Sequence, residues 1–277
     1  MPEAHALLSA SGAHRWLECT PSARLEETFP STTSSYAAEG TLAHELAAAC
    51  ALYWTDQITE TEYEEQLTTI KENKWYTADM LEDCIAYAKL IRDKWLKLKE
   101  TCPDATVMIE AQIKYEDWAP EGFGTADCLI LADGFLEVLD FKYGKGKRVD
   151  AFGNPQMRMY TLGAYSTYGL VFNVEHITMT IYQPRLSGVM STDEIMIDEL
   201  LTWGEEYVKP RAKLAFEGIE MRIKAKRDRI EHLHNICNTT SQELKPVVVY
   251  TGPSKKLENC ICEAVDLETE IRNPKHY

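Results

Sequence analysis

Apolar residues recur at helical spacing as far as Glu100 and at strand spacing after Pro103. Leu42, Leu46, Ala49 and Tyr53 share one side of the Ala- and Leu-rich run from Ser35 to Trp54. Leu81, Ile85, Ala88, Ile91, Trp95 and Leu98 do the same from Thr77 to Glu100, so both runs predict amphipathic helices. Ser9 or Ser11 can cap a short helix running to Glu18, and Pro21 with Ser22 restarts one carrying Leu25. Between the long helices an acidic linker, Asp56 to Glu65, leads into a polar helix.

Beyond Pro103, Val107, Ile109, Ala111 and Ile113 alternate with Met108, Glu110, Gln112 and Lys114, which predicts a strand. Ala126 to Ala132 and Phe135 to Phe141 predict two more, joined by Asp133-Gly134, a strong hairpin signal. Asn154 to Tyr168 reads as a helix with Met157, Tyr160, Leu162 and Ala164 on its apolar side, and Ile177 to Tyr182 as a further strand. Asp193 to Glu217 reads as an amphipathic helix, interrupted or kinked around Pro210. From Ile219 to Tyr277 only Val247 to Tyr250 shows a clear period. The expectation is one α/β domain: a helical part over 1–102, an α/β core over 103–192, a helix over 193–217 and a divergent tail over 218–277.

Composition bounds the class. With 45% hydrophobic and 26% charged residues in 277, the chain is neither disordered throughout nor collagen-like. No stretch approaches the roughly 18 apolar residues of a spanning helix, and Met1 to Ser11 has no basic segment followed by an apolar run, so a cytoplasmic protein without membrane partners is expected. Reduced thiols are then the reading for the 8 cysteines, with Cys50, Cys84 and Cys128 as small core residues. The net charge of −15 argues, as a sum, against nucleic acid. It is not uniform: Lys142, Lys145, Lys147, Arg148 and Arg158 stand against Asp150 alone, and a second basic run extends from Lys209 to Arg229.

The hairpin carries the chemistry. Residues two apart on a strand face the same side, so Asp140 and Lys142 project together and Phe141 points the other way. A turn at Asp133-Gly134 sets Asp127 opposite Asp140, with the lysine adjacent. Two carboxylates across a ladder repel unless something positive lies between them, and Mg²⁺ characteristically takes one or two carboxylates with water and substrate phosphates. Taken alone, Asp140 and Lys142 also read as a salt-bridged strand end. Gln156 and Tyr160 follow at i and i+4 on one helix face, within reach of the strand ends.

In this order the segments Gly40 to His44, Gly124-Thr125-Ala126-Asp127, Asp140-Phe141-Lys142 and Gln156 to Tyr160 resemble the motifs of the PD-(D/E)XK nuclease superfamily, in its RecB-like branch: a helical His motif, a GxxD strand, a (D/E)xK strand and a QxxxY helix. Over roughly residues 5 to 217 the phrasing also looks like a phage- and prophage-encoded family within that branch. The resemblance implies an α/β, restriction-endonuclease-like core, a central mixed sheet flanked by helices, with an N-terminal helical region and a C-terminal helical extension. It implies a Mg²⁺- or Mn²⁺-dependent deoxyribonuclease acting in phage DNA processing, recombination or repair. His44, Asp127, Asp140 and the backbone carbonyl of Phe141 would ligate the metal, Lys142 would position the attacking water, and Gln156 and Tyr160 would support the site or contact the DNA backbone. Lys145, Lys147, Arg148 and Arg158 become a DNA-facing lip, and Glu110 an additional acid that could face the site. Phage recombination or replication proteins are the partners implied besides DNA. The alternative is a non-cleaving DNA-binding or assembly module on the same fold.

Many members of the branch hold an iron-sulfur cluster with one N-terminal and three closely spaced C-terminal cysteines. Cys19 stands where the first is expected, but the tail offers Cys237 and then Cys260 and Cys262, a different spacing that favours ordinary thiols.

Overall fold

The computed structural model describes residues 6–29, 35–186 and 188–218; the tail and its three cysteines lie outside them. Five strands form one sheet in chain order: β1 (Thr106–Lys114), β2 (Phe123–Ala132), β3 (Phe135–Phe141), β4 (His176–Gln183) and β5 (Val189–Met196). All neighbours are antiparallel except β3 and β4, whose parallel pairing requires the crossover through α6 (Pro155–Tyr168). The sheet is therefore mixed and the fold class is α/β, as the sequence led us to expect.

Its two faces carry separate cores. Val107, Cys128, Ile130, Leu139 and Phe141 pack against α3 (Ser35–Trp54), α4 (Glu60–Lys71) and α5 (Ala78–Lys99). Leu129, Leu131, Leu136, Val138, Met179 and Ile181 pack against α6, α7 (Ile197–Trp203) and the short α1 (Ala13–Trp16) and α2 (Ser22–Glu26). The alternation of numbers between the two sets is the pleat itself.

Helix starts follow local chemistry. Thr59 caps α4 through a reciprocal box with Glu62, which converts the second half of the expected acidic linker into helix. Thr77 caps α5, and Asn154 caps α6 ahead of Pro155 at its first turn. Before Pro210 the helix widens: Lys209 N–H reaches back five residues to the carbonyl of Gly204, the local adjustment that a proline one residue later imposes.

Two expectations fail. The helix placed from Asp193 begins at Ile197, because residues 189–196 form the edge strand β5, with Asp193 opposite Met179. The alternation of β1 is not maintained either: Val107 and Ile109 face α3 to α5, whereas Ala111 and Ile113 face α6. Glu110 between them has φ of 51°, a left-handed turn of the backbone that flips the strand over. On β2, Ala126 joins the α6 face and Cys128 the other, so the reversal is shared at Asp127. Among the described residues no helix is long and apolar enough to cross a membrane.

Candidate active site

The hairpin register runs as the turn dictates down to Cys128 opposite Leu139, then stops one pair short of Asp127 and Asp140. There a side chain replaces the ladder, as Phe141 N–H donates to Asp127 Oδ2 at 2.8 Å. Asp127 Oδ1 faces His44 Nδ1 at 3.3 Å, so α3 is tied to β2 across the hairpin's end. The His44 ring stands edge-on to Phe141 at 5.9 Å, which fixes its orientation.

Asp140 is buried and lies against Lys142 Nζ, 3.1 Å from Oδ1 and 3.0 Å from Oδ2. Gln156 bridges the pair, accepting from Lys142 Nζ at 3.1 Å and donating to Asp140 Oδ1 at 3.2 Å. Asn154 holds Gln156 in place by accepting its N–H at 3.0 Å, and Tyr160 lies one turn on, its hydroxyl 3.5 Å from Gln156 Nε2. A Cβ on Gly124 would come within 3.2 Å of the Tyr160 ring, so the glycine of the GxxD segment makes room for the tyrosine. Residues from α3, β2, β3 and α6 thus converge, although 116 positions separate His44 from Tyr160.

The electrostatics are those of crowded acids. Burial and the neighbouring Asp127 hold the Asp140 carboxyl above its usual range despite Lys142. Asp127 is held below it: burial opposes its charge, but His44, Phe141 N–H and Lys142 outweigh burial. Burial disfavours the charged forms of His44 and Lys142 too, yet Asp127 raises the first and Asp140 with Asp127 the second.

An imidazole and two carboxylates form a hard, oxygen-rich donor set suited to a divalent cation. Asp140 Oδ2 is buried and meets the Lys142 ammonium at 3.0 Å with no hydrogen bond of good geometry, so it keeps acceptor capacity that such an ion can use. Among the described residues no three His, Cys, Asp or Glu close on one point at metal-ligand spacing. Lys142 and Phe141 N–H occupy the inward lone pairs instead. The donor chemistry fits a cation; the closure of the set is protonic.

Of the other expected residues, Lys145, Lys147 and Arg148 are exposed on the segment that follows Lys142. Arg158 does not join them. Its side chain is 13% exposed, with Nη2 2.8 Å from Glu199 and 3.9 Å from Asp193, and the guanidinium lies over Trp203. Arg158 is held in the packing between α6, β5 and α7 and corrects its placement on the lip. Glu110 lines a narrow crevice together with His44, Ala47, Ala51, Tyr87 and Asp127. Cys19 is half-buried between α1 and α2.

Sequence reasoning missed Gln183, Ser191 and Asp193. These buried side chains accept the backbone N–H groups of Val149, Ala151 and Gly153 at 2.7, 3.0 and 3.0 Å, and so pin the segment between Lys142 and α6 to the sheet.

Comparison with known proteins gives a family and several distant folds. A family model described as "Protein of unknown function (DUF2800)" matches residues 5–265. The chain is similar to the alkaline exonuclease LHK-Exo from Laribacter hongkongensis at 13% identity, covering 69% of this chain and 93% of that one with a TM-score of 0.30. LHK-Exo in complex with dAMP gives 14% identity, 69% and 97% coverage and a TM-score of 0.30. An inferred exonuclease from Eubacterium rectale gives 12% identity, 87% and 90% coverage and a TM-score of 0.39. Likenesses of this size assign no activity.

Proposed function

The chain belongs to the DUF2800 family, whose description names no activity, and from the site itself we propose a divalent-metal-dependent DNA nuclease that hydrolyses phosphodiester bonds. The observation that carries this reading is the meeting of Asp127 and Asp140 on adjacent strands, with Lys142, Gln156 and His44 closing around them. A buried acid beside a half-buried one destabilises a protein unless positive charge is shared between them, and strongly perturbed acids of this kind cluster at functional sites.

His44, Asp127, Asp140 and the Phe141 carbonyl would hold Mg²⁺ or Mn²⁺, which supplies Lewis-acid stabilisation of a phosphoryl oxygen and a nucleophile near neutral pH. Lys142 keeps its charge, because Asp140 and Asp127 raise it against burial, and can hold a water or a phosphate oxygen at Nζ. Gln156 fixes that ammonium by accepting from it, so the lysine needs little reorganisation when charge develops on phosphorus. Tyr160 and Gly124 set the depth at which α6 meets β2. The exposed Lys145, Lys147 and Arg148 support a polyanionic substrate rather than a small phosphoester. In cellular terms the reading places the protein in DNA processing, recombination or repair, the phage setting that the motif resemblance implies.

The test is cleavage of supercoiled plasmid and labelled linear DNA in Mg²⁺, in Mn²⁺ and in EDTA, with Asp140→Ala alongside. Metal-dependent cutting by the wild type alone is expected. Equal cutting by the variant sinks the site, and binding without cutting in either metal favours a non-cleaving DNA-binding module.

A further inference from the structure

The segment from Lys142 to the start of α6 has the exposure of a loop but the anchoring of a strand. Besides the three N–H groups taken by Gln183, Ser191 and Asp193, the Lys147 carbonyl accepts from Gln183 Nε2 at 3.1 Å. The gripped positions are 147, 149, 151 and 153, and the residues between them, Arg148, Asp150 and Phe152, are exposed. Arg148 is 64% and Asp150 58% exposed, and Phe152 is 80% exposed.

A lone exposed aromatic on a slack loop means little. Phe152 is different because its backbone is fixed on both sides, at Ala151 and Gly153, and its own N–H donates to Asp150 Oδ1 at 3.1 Å. Ser191 and Asp193 are both below 10% exposed, and they are spent on holding this segment. What they present is an exposed ring on an anchored backbone, two residues before Asn154, the cap that orients Gln156, and four residues after Arg148. A ring without apolar cover, on the same segment as the exposed Lys145, Lys147 and Arg148, is matched by a flat apolar partner that arrives with phosphate, which those residues can hold.

We propose that Phe152 is a stacking platform for an unpaired nucleobase, and that the site therefore engages single-stranded DNA or an opened strand end. The inference rests on the nuclease reading above and adds strandedness to it. In a duplex the faces of the bases are buried in the stack, so a single fixed ring gains nothing from paired DNA.

Binding of a labelled oligonucleotide of about 16 nucleotides, single-stranded or as a matched duplex, is measured by anisotropy with the full chain in Ca²⁺. Phe152→Ala should weaken single-strand binding by about tenfold or more without changing its salt slope, since no phosphate contact is lost, while Phe152→Trp retains it. 2-Aminopurine in the strand should be quenched by the wild type and by Phe152→Trp but not by Phe152→Ala. Because the side chain is exposed, the truncation leaves the fold intact, which circular dichroism checks. Unchanged single-strand binding by Phe152→Ala, or an equal loss on duplex, overturns the platform and leaves the nuclease reading standing. A wild type that binds neither form of DNA overturns both.

Discussion

Replacing Lys142 with methionine separates what the lysine does for the fold from what it does for chemistry. The change keeps the length of the stem, removes the ammonium and leaves Asp140, 2% exposed at its side chain, with Gln156 Nε2 as its remaining hydrogen-bond donor. Breaking a buried ion pair from one side costs about 3–5 kcal/mol when the other charge stays uncompensated. Here the cost sits near the lower end, about 3 kcal/mol, because the Lys142 side chain is 25% exposed and Gln156 persists. It also depends on pH. With the lysine gone, burial and Asp127 raise the folded-state pKa of Asp140 further above its unfolded value. The folded state then binds more protons than the unfolded one across that window, so stability is lost as pH rises through it and recovered as pH falls. Urea unfolding in EDTA at pH 8 and pH 5 should show the deficit shrinking at the lower pH. The double variant Lys142→Met/Asp140→Asn, which removes both charges, should regain most of it. Cleavage should fall at least about 100-fold in the single variant and stay lost in the double, since a charge-stabilising donor is gone. A deficit that is the same at both pH values would refute the buried-pair reasoning, and cleavage within a few-fold of wild type would refute the role of the lysine.

Three further outcomes follow from the geometry. Asp193→Ala leaves the Gly153 N–H without its acceptor and Arg158 with Glu199 alone, so it should cost about 1–3 kcal/mol in urea unfolding and reduce DNA cleavage although Asp193 is no candidate ligand. Mn²⁺ should raise the melting temperature of the wild type by differential scanning fluorimetry but not that of Asp127→Asn/Asp140→Asn; an equal rise would place the cation elsewhere. Burial pushes the Cys50 thiol up to about 11 and raises Cys84 and Cys128 as well, so iodoacetamide at pH 8 should modify these three only after denaturation, as read by peptide mass spectrometry.

The long helices, the hairpin and its register were legible because each is written redundantly. Thr77 and Asn154 announce α5 and α6, Asp133-Gly134 fixes the turn, and the apolar sets agree with both. The pairing of Asp127 with Asp140 and Lys142 could be read from the hairpin, whereas His44, on α3, came only with the motif resemblance. The strand β5 escaped because its inward positions are polar: Ser191 and Asp193 alternate properly but grip the neighbouring segment, so the period is present without hydrophobicity. Arg158 was misplaced for a related reason, since only Glu199 and Asp193, brought in from β5 and α7, show that its charge is already taken. The reversal at Glu110 left no trace at all, because a glutamate says nothing in sequence about a positive φ.

The way the segment after Lys142 is held has a consequence for how this protein can change. Gln183, Ser191 and Asp193 grip main-chain atoms, which every residue other than proline supplies, and of the outward side chains only Asp150 is held as well, by the Ser191 hydroxyl. Positions 148 and 152 can therefore vary in charge, size and aromaticity while the framework stays as it is. Innovation at the mouth of the site is uncoupled from upkeep of the fold. A library randomised at these positions should return mostly folded proteins with altered preferences, which makes this segment the natural starting point for changing what the site takes.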